Sequence, residues 1–504
     1  MYTMRKLGFL TLIFSLSVLN VWSQLYSRQM LQMTDLNPHF RGARYSGVSG
    51  AFSAIGPDLS SVTDNPAGIA LIKSSQFSFT AGGMVQQSNS SYMNSTAVSD
   101  RLGVPTFNAI GFGVTTEGTH RWSVGLTLNR LADYNQSLTF SGFNPMNSMA
   151  ASHAVTATEI TNSLGLPPDG INDSNAPFEA TNAYLGWLVN WDSTSNSYQA
   201  PASDSVYQNG RYESRGGFYE AAMSLGRSYL SDRVHVGFSV GIPFMNHKNR
   251  LIFNEEEGSS TDRGLYRSEQ RTRVQNEGFG INAKFGIVLK PVDGVRFAAA
   301  VHSPTRMFIT ENYNAKITSY VDTPVTPTSG FCLPCEEASP RGVYEYSMRM
   351  PWRANVGLGF VIDRVGFLSM QYEWTGLNEA RYFFGSGFGE LGREINKDIA
   401  ETYRNTHNVR LGVELAPGPL RFRAGAHATS SPLASEEING LFWKHGISGG
   451  FGVVGKNMAL DFSYVQNRQN QRDMPYENLG EASPQVISEL TRHYVGVTLS
   501  MRLQ

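Results

Sequence analysis

Arg410, Glu414, Arg421 and Arg423 fall within two successive stretches of alternating apolar and polar residues. Side chains at i and i+2 share one face of a β-strand, so this spacing gathers all four on the polar face of a predicted hairpin. Guanidinium groups placed there suit a carboxylate, which Arg grips with two parallel hydrogen bonds. Lys284 and Arg353, on the polar faces of other such stretches, extend the candidate headgroup site. The alternative use of the same residues is a charge network that holds another part of the chain. Cys332 and Cys335, the only cysteines, form the motif CLPC. Two thiols with no second pair and no nearby histidine cannot complete a tetrahedral zinc site. In an exported chain a loop disulfide is expected before redox chemistry. His235, His302 and His427 sit on separate stretches without ligand spacing, so no metal is expected. No Ser/His/Asp set stands out, and Glu373 and Asp461 have no evident partner. The sequence therefore predicts neither a catalytic centre nor a cofactor.

The elements that must position these residues are strands. From His493 to Leu503, Val495, Val497, Leu499, Met501 and Leu503 share one face, and Tyr494, Gly496, Thr498, Ser500 and Arg502 the other. One face suits hydrocarbon and the other water, over about the ~9–11 residues that a tilted strand needs to cross a bilayer. The pattern recurs along the chain, as in Val234–Phe244, Phe279–Leu289, Ala354–Ile362 and Val409–Leu415. A soluble sandwich also alternates, but its strands usually run only ~5–6 residues. Charged residues make up 16% of the 504 residues and 50 are glycine, which fits half-apolar strands with little charge. A net charge of −1 gives no electrostatic case for a nucleic-acid partner.

Arg5 and Lys6 followed by the apolar run Leu7–Val21 predict a signal peptide over 1–23. The sequence contains no later apolar run of helical spanning length, and a closed barrel is the other way to satisfy backbone groups within a bilayer. Connections alternate between short turns and long polar segments, the pattern of outer-membrane barrels. Counting between them predicts about 14 antiparallel strands over 75–504, with 133–216 the longest outer connection. Residues 24–74 lack the alternation and are rich in small residues (GARYSGVSGAFSAIG, Gly42–Gly56), which suits short turns packed inside something else. The expectation is an all-β transmembrane barrel with an N-terminal plug, acting as a monomer. Trp122, Trp352, Tyr372, Trp374 and Tyr464 are expected in an interfacial girdle.

The small-residue segment ends in Asn65-Pro66-Ala67-Gly68, directly before the first predicted strand. In this it resembles the N-terminal hatch of the FadL/TodX family of outer-membrane channels for hydrophobic compounds. Leu289-Lys290-Pro291 with Val295–Arg306, and Leu420–Pro432 (LRFRAGAHATSSP), are similar to later strands of that family. The resemblance spans most of residues 40–504. It implies a fourteen-stranded barrel in the bacterial outer membrane, contact with outer-membrane lipid, and passive uptake of long-chain fatty acids or aromatic hydrocarbons. Asn65, Pro66, Ala67 and Gly68 would then be hatch residues. A second reading of the long outer connections is a non-transporting barrel that serves as a docking or secretion-accessory platform.

Overall fold

The computed structural model describes residues 33, 34, 36 and 41–503, except 94, 96, 97, 117–120, 169, 173–175, 177, 201–204, 258–265, 322–333, 386–388, 434–442 and 477–482. The predicted signal peptide and Cys332 lie outside the described residues. Fourteen strands form a closed antiparallel barrel. They are β1 (Gln76–Tyr92), β2 (Val98–Thr115), β3 (Trp122–Asp133, resuming as Gln136–Asn144), β4 (Val206–Tyr229), β5 (Val234–Glu257), β6 (Tyr266–Leu289) and β7 (Val295–His302, resuming as Arg306–Val321). There follow β8 (Cys335–Ala338, Gly342–Arg349 and Arg353–Ile362), β9 (Gly366–Thr375 and Arg381–Phe384), β10 (Thr406–Leu415), β11 (Leu420–Thr429), β12 (Lys444–Val454), β13 (Met458–Asp473) and β14 (Val486–Arg502). Each pairs with its neighbours in sequence, and β14 closes on β1 from Gln76↔Arg502 to Tyr92↔Val486. Closure removes the exposed edges of an open sheet within the span from Gln76 to Thr80 and its paired positions.

The barrel inverts the usual placement of apolar side chains. Phe238, Val240, Ile242 and Phe244 on β5 are exposed, whereas Ser239 between them is buried. Phe279, Ile281 and Phe285 on β6, and Leu411, Val413 and Leu415 on β10, also face outward and are exposed. Lys284, Arg410 and Glu414 point inward and are buried. Such a belt of exposed large hydrophobics is unfavourable against water and favourable against acyl chains. Trp122, Trp352 and Tyr464 are likewise exposed, while Tyr372 and Trp374 are half-buried.

The predicted strand centres match, but the strands run further than the alternation suggested. β4, β5 and β6 each have 24 residues. In the extensions both faces are polar: Asn209, Arg211 and Glu213 point out, and Gln208 and Ser214 point in. The ladder hydrogen bonds continue where the hydrophobic signal stops. The segment 133–216, expected as a loop, contains the second half of β3 and the first part of β4. It also contains helices α2 (Met149–Leu164) and α3 (Phe178–Leu185), numbered after a short α1 (Ala43–Gly47). Helix α2 starts where Ser148 Oγ accepts from Ala151 N (3.0 Å) and stops at Gly165, which takes φ 63°. Its Met149, Ala150, Ala154 and Ala157 pack with Phe140, Phe253 and Tyr476 over the long-connection end of the barrel.

Residues 41–72 lie against inward-facing positions of the wall at the short-turn end. Room is made by glycine. A side chain at Gly237 would meet the backbone of Pro66 and Ala67, and one at Gly286 would meet Asn65. Glycines of β3, β8, β10 and β11 similarly border Ile69, Ser53 and Val48. Three adjacent strands, β7, β8 and β9, are interrupted at one height, at 303–305, 350–352 and 376–380. Isolated bonds such as Met350 N to Thr305 O (2.8 Å) bridge the gap. Past it the inward parity shifts, as at β-bulges: His302 faces in before the break, Met307 and Ile309 after it.

Candidate functional site

The inner segment is fastened by ions. Asp64 is fully buried and accepts from Arg41 Nη1 at 2.6 Å and from the Tyr45 hydroxyl. Arg410 Nη1 of β10 lies 3.3 Å from its other oxygen. The Asp64 carbonyl accepts from Asn355 Nδ2 (2.9 Å) and contacts His302 Nε2 (2.7 Å), so β7 and β8 hold the same residue. Burial alone would raise the Asp64 carboxyl, but Arg41 and Arg410 outweigh it and hold the group well below the usual carboxylate range. Arg410 Nη2 also reaches Glu373 (3.3 Å), which Arg353 Nη2 contacts at 2.9 Å.

A second cluster adjoins the first. Arg44 of α1 gives Glu414 two hydrogen bonds, at 3.1 and 3.0 Å. Arg423 joins Glu414 (2.6 Å) and Asp461 (2.7 Å). His427 contacts Ser49 Oγ at 3.3 Å, and the main-chain amides of Phe52 and Ser53 both donate to Gln371 Oε1 at 3.2 and 3.1 Å. Strands from β7 to β13 thus converge on one short inner segment.

At its end, Asn65 caps a 3-10 helix, Pro66–Leu71, by accepting from Ala67 N at 3.0 Å. Proline at the first helical position loses no hydrogen bond there. The Asn65 amide also donates to Ser53 O (3.2 Å) and to Ile287 O of β6 (3.3 Å). Asn65, Pro66, Ala67 and Gly68 are therefore brought together and buried against the wall.

The structure places the five candidate headgroup residues apart from one another in role. Arg353, Arg410 and Arg423 each face a carboxylate of the clusters above. Lys284 pairs with Glu220, which Asn282 Nδ2 also contacts at 2.9 Å. Arg421 sits at the short turn and donates to the carbonyls of Gly418 (2.8 Å) and Leu420 (2.7 Å). Glu373 and Asp461, unpartnered in sequence, have partners here. Sequence reasoning also missed Arg41, Arg44, Tyr45 and Asp64. Their signal was the charges and the phenol, set in a run otherwise rich in small residues. Cys335 begins β8, is buried, and is disulfide-bonded.

Beyond the interruption of β7–β9 the interior changes character. Leu131, Phe218, Met245, Met307, Met348 and Tyr382 form an inward apolar cluster together with Met33 of the N-terminal segment. Helix α4 (Gly389–Thr402) adds Leu391, Ile395 and Ile399, one apolar stripe at a spacing of four. Methionine fills irregular space and repacks easily, so this cluster is both apolar and adaptable.

Replacing Arg423 by glutamine should lower thermal stability markedly, because Glu414 would keep only Arg44 and Asp461 would lose its guanidinium. Breaking such a buried pair from one side costs about 3–5 kcal/mol. The check is the temperature at which the detergent-solubilised barrel loses its compact gel mobility. The same change at Arg421, which makes no such pair among the described residues, should have little effect.

No family model matches this chain, and no curated protein does. Among solved structures it is similar to a Pseudomonas aeruginosa FadL homologue, with 12% identity over 92% of this chain and 98% of that one, at a TM-score of 0.53. A deltaS2 mutant of the TodX monoaromatic hydrocarbon channel matches with 10% identity over 93% and 100% of the two chains, at a TM-score of 0.52. At identities this low the likeness shows a shared fold alone.

Proposed function

We propose that the chain is an outer-membrane channel for passive uptake of hydrophobic small molecules, closed by residues 24–74 acting as a hatch. The observation that carries this reading is the two-part interior: a salt-bridged segment lies inside the short-turn end, and a methionine- and tyrosine-rich apolar cluster lies beyond it. Polar head groups of an outer leaflet slow apolar solutes, and an apolar lumen binds and passes them on. Transport runs down a gradient of binding and needs no energy source or cofactor. Residues 1–23 direct export, the long connections face outward, and the protein works as a monomer.

Aromatic hydrocarbons or long-chain fatty acids are the substrate class in this reading. The description of the TodX structure as a monoaromatic hydrocarbon channel supports the former. The carboxylates already held by Arg353, Arg410 and Arg423 weigh against a fatty-acid headgroup at those positions, so an uncharged guest is preferred. In this scheme Asn65–Gly68 moves off β5 and β6 to open the exit. A docking platform is the second reading, and the folded cap of α2 and α3 favours it, since it presents an ordered outer surface.

The experiment compares entry of labelled toluene, oleate and a hydrophilic sugar into proteoliposomes, using the mature protein and a form lacking 24–74. Apolar entry that exceeds sugar entry, with sugar leaking only after the deletion, is the expected result. No apolar entry in either form would turn the assignment toward the platform.

A further inference from the structure

The outer wall of β4–β6 carries a cationic patch that the transport reading does not use. Arg215 lies directly opposite Lys248, and Arg250 directly opposite Arg273. Like charges facing one another across a ladder repel and destabilise the pair. Two such pairs stand side by side here, and none of the four residues makes an ion pair among the described residues. Glu213, opposite Arg250 on its other side, is engaged by Arg211 at 3.0 Å. Glu213 is thus shared, and the patch stays net positive among the described residues.

Its height is informative. On β5 it begins four residues beyond Phe244, and on β6 it lies six residues beyond Phe279. Both are exposed aromatics at the upper edge of the apolar belt. At ~3.4 Å per residue and a tilt of ~40°, that is roughly 10–15 Å above the hydrocarbon edge. Long basic stems can reach back toward that edge. Just below lies an open groove of about 960 Å³, where the exposed Phe279, Phe308 and Phe383 border the buried Met245, Ile309 and Tyr346 of the apolar cluster. Arg306 covers the Phe383 ring, with its guanidinium carbon 4.7 Å from the centroid. Glu277 and Glu345 also line the groove. Glu277 accepts from Asn246 at 2.9 Å.

We propose that this face binds an outer-leaflet lipid whose head group carries phosphate. Its acyl chains lie in the aromatic groove, and its phosphates lie against Arg215, Lys248, Arg250 and Arg273. A protein partner would match the charge but would have to displace membrane from a groove continuous with the lipid-facing belt. The proposal rests on the membrane reading given above.

The test reconstitutes the mature protein and a Lys248→Gln/Arg250→Gln/Arg273→Gln variant into nanodiscs of zwitterionic lipid. Binding of lipid A, of dephosphorylated lipid A and of inorganic phosphate is then measured. Lipid A should bind the parent tightly and the variant about a hundredfold more weakly, at roughly tenfold or less per basic residue. Dephosphorylated lipid A should bind both proteins weakly. Equal binding of the two lipids, unchanged binding by the variant, or competition by inorganic phosphate at the lipid's own concentration would overturn the proposal. Failure to enter nanodiscs at all would overturn the membrane reading with it.

Discussion

Replacing Asp64 by alanine should make the barrel leak small hydrophilic solutes while the barrel itself stays folded. Asp64 is the one carboxylate shared by Arg41 of the inner segment and Arg410 of the wall. All three are almost wholly buried. Without it, two guanidinium groups face each other in a water-poor interior, with only Glu373 near Arg410. Removing one member of such a network costs about 3–5 kcal/mol, most of it from the charges left behind. The wall keeps every ladder bond, so the loss falls on the attachment of the segment. Sugar efflux from proteoliposomes reads the leak, and compact gel mobility reads the barrel. A sealed Asp64→Ala protein would show that the network does not hold the closed state.

The same pair fixes a pH dependence. The Asp64 carboxyl is held below its ordinary value in the folded protein. Its contribution to closure is therefore present in full above the unfolded pKa of about 3.9 and is lost only as pH falls through the lower folded value. The parent protein should remain sealed to sugar at pH 4, where an unpaired aspartate would already be about half protonated. Efflux measured between pH 7 and pH 3 checks this.

Filling the glycine row should have a comparably large effect from the opposite side. At Gly237 an added side chain runs into the main chain of Pro66 and Ala67, which cannot swing aside as a flexible side chain can. Overpacking usually costs about 1–3 kcal/mol, and contact with backbone lies at the upper end. Gly237→Val, and Gly286→Val against Asn65, should each push the segment off β5 and β6 and make 41–72 accessible to protease. Phe238→Leu, one residue along and facing outward, should leave it protected. Equal protection in all three variants would mean that the wall yields instead of the segment.

Both variants act on contacts that the sequence could only half announce. The fourteen strands were legible because a membrane imposes a strict alternation, as in Val234–Phe244, over a fixed length. Where the wall rises beyond the membrane the constraint disappears. Residues such as Asn209, Arg211 and Glu213 then read as loop although they are paired with β5. Arg410, Glu414 and Arg423 were legible as inward-facing from parity alone. Their partners were not, because Asp64 and Arg410 are 346 residues apart and nothing local in a sequence records such a meeting. The apolar cluster around Met307 and Met348 was hidden by the shifts in parity at 303–305 and 350–352, which move apolar residues to the inner side.

The order of the chain has a consequence for assembly. The inner segment precedes every strand of the barrel in sequence, yet its ion pairs to the wall come from β10, in the later part of the chain. Its backbone is threaded inside a ring that closes only when β14 zips onto β1 along 17 residue pairs. Arg41 and Asp64 are able to pair early, whereas Arg410 arrives late in the chain. The full set of the segment's contacts is completed only by pairings of very long range in sequence, and topologies of that kind fold slowly. The segment is thus made before the wall and fully fastened only after it.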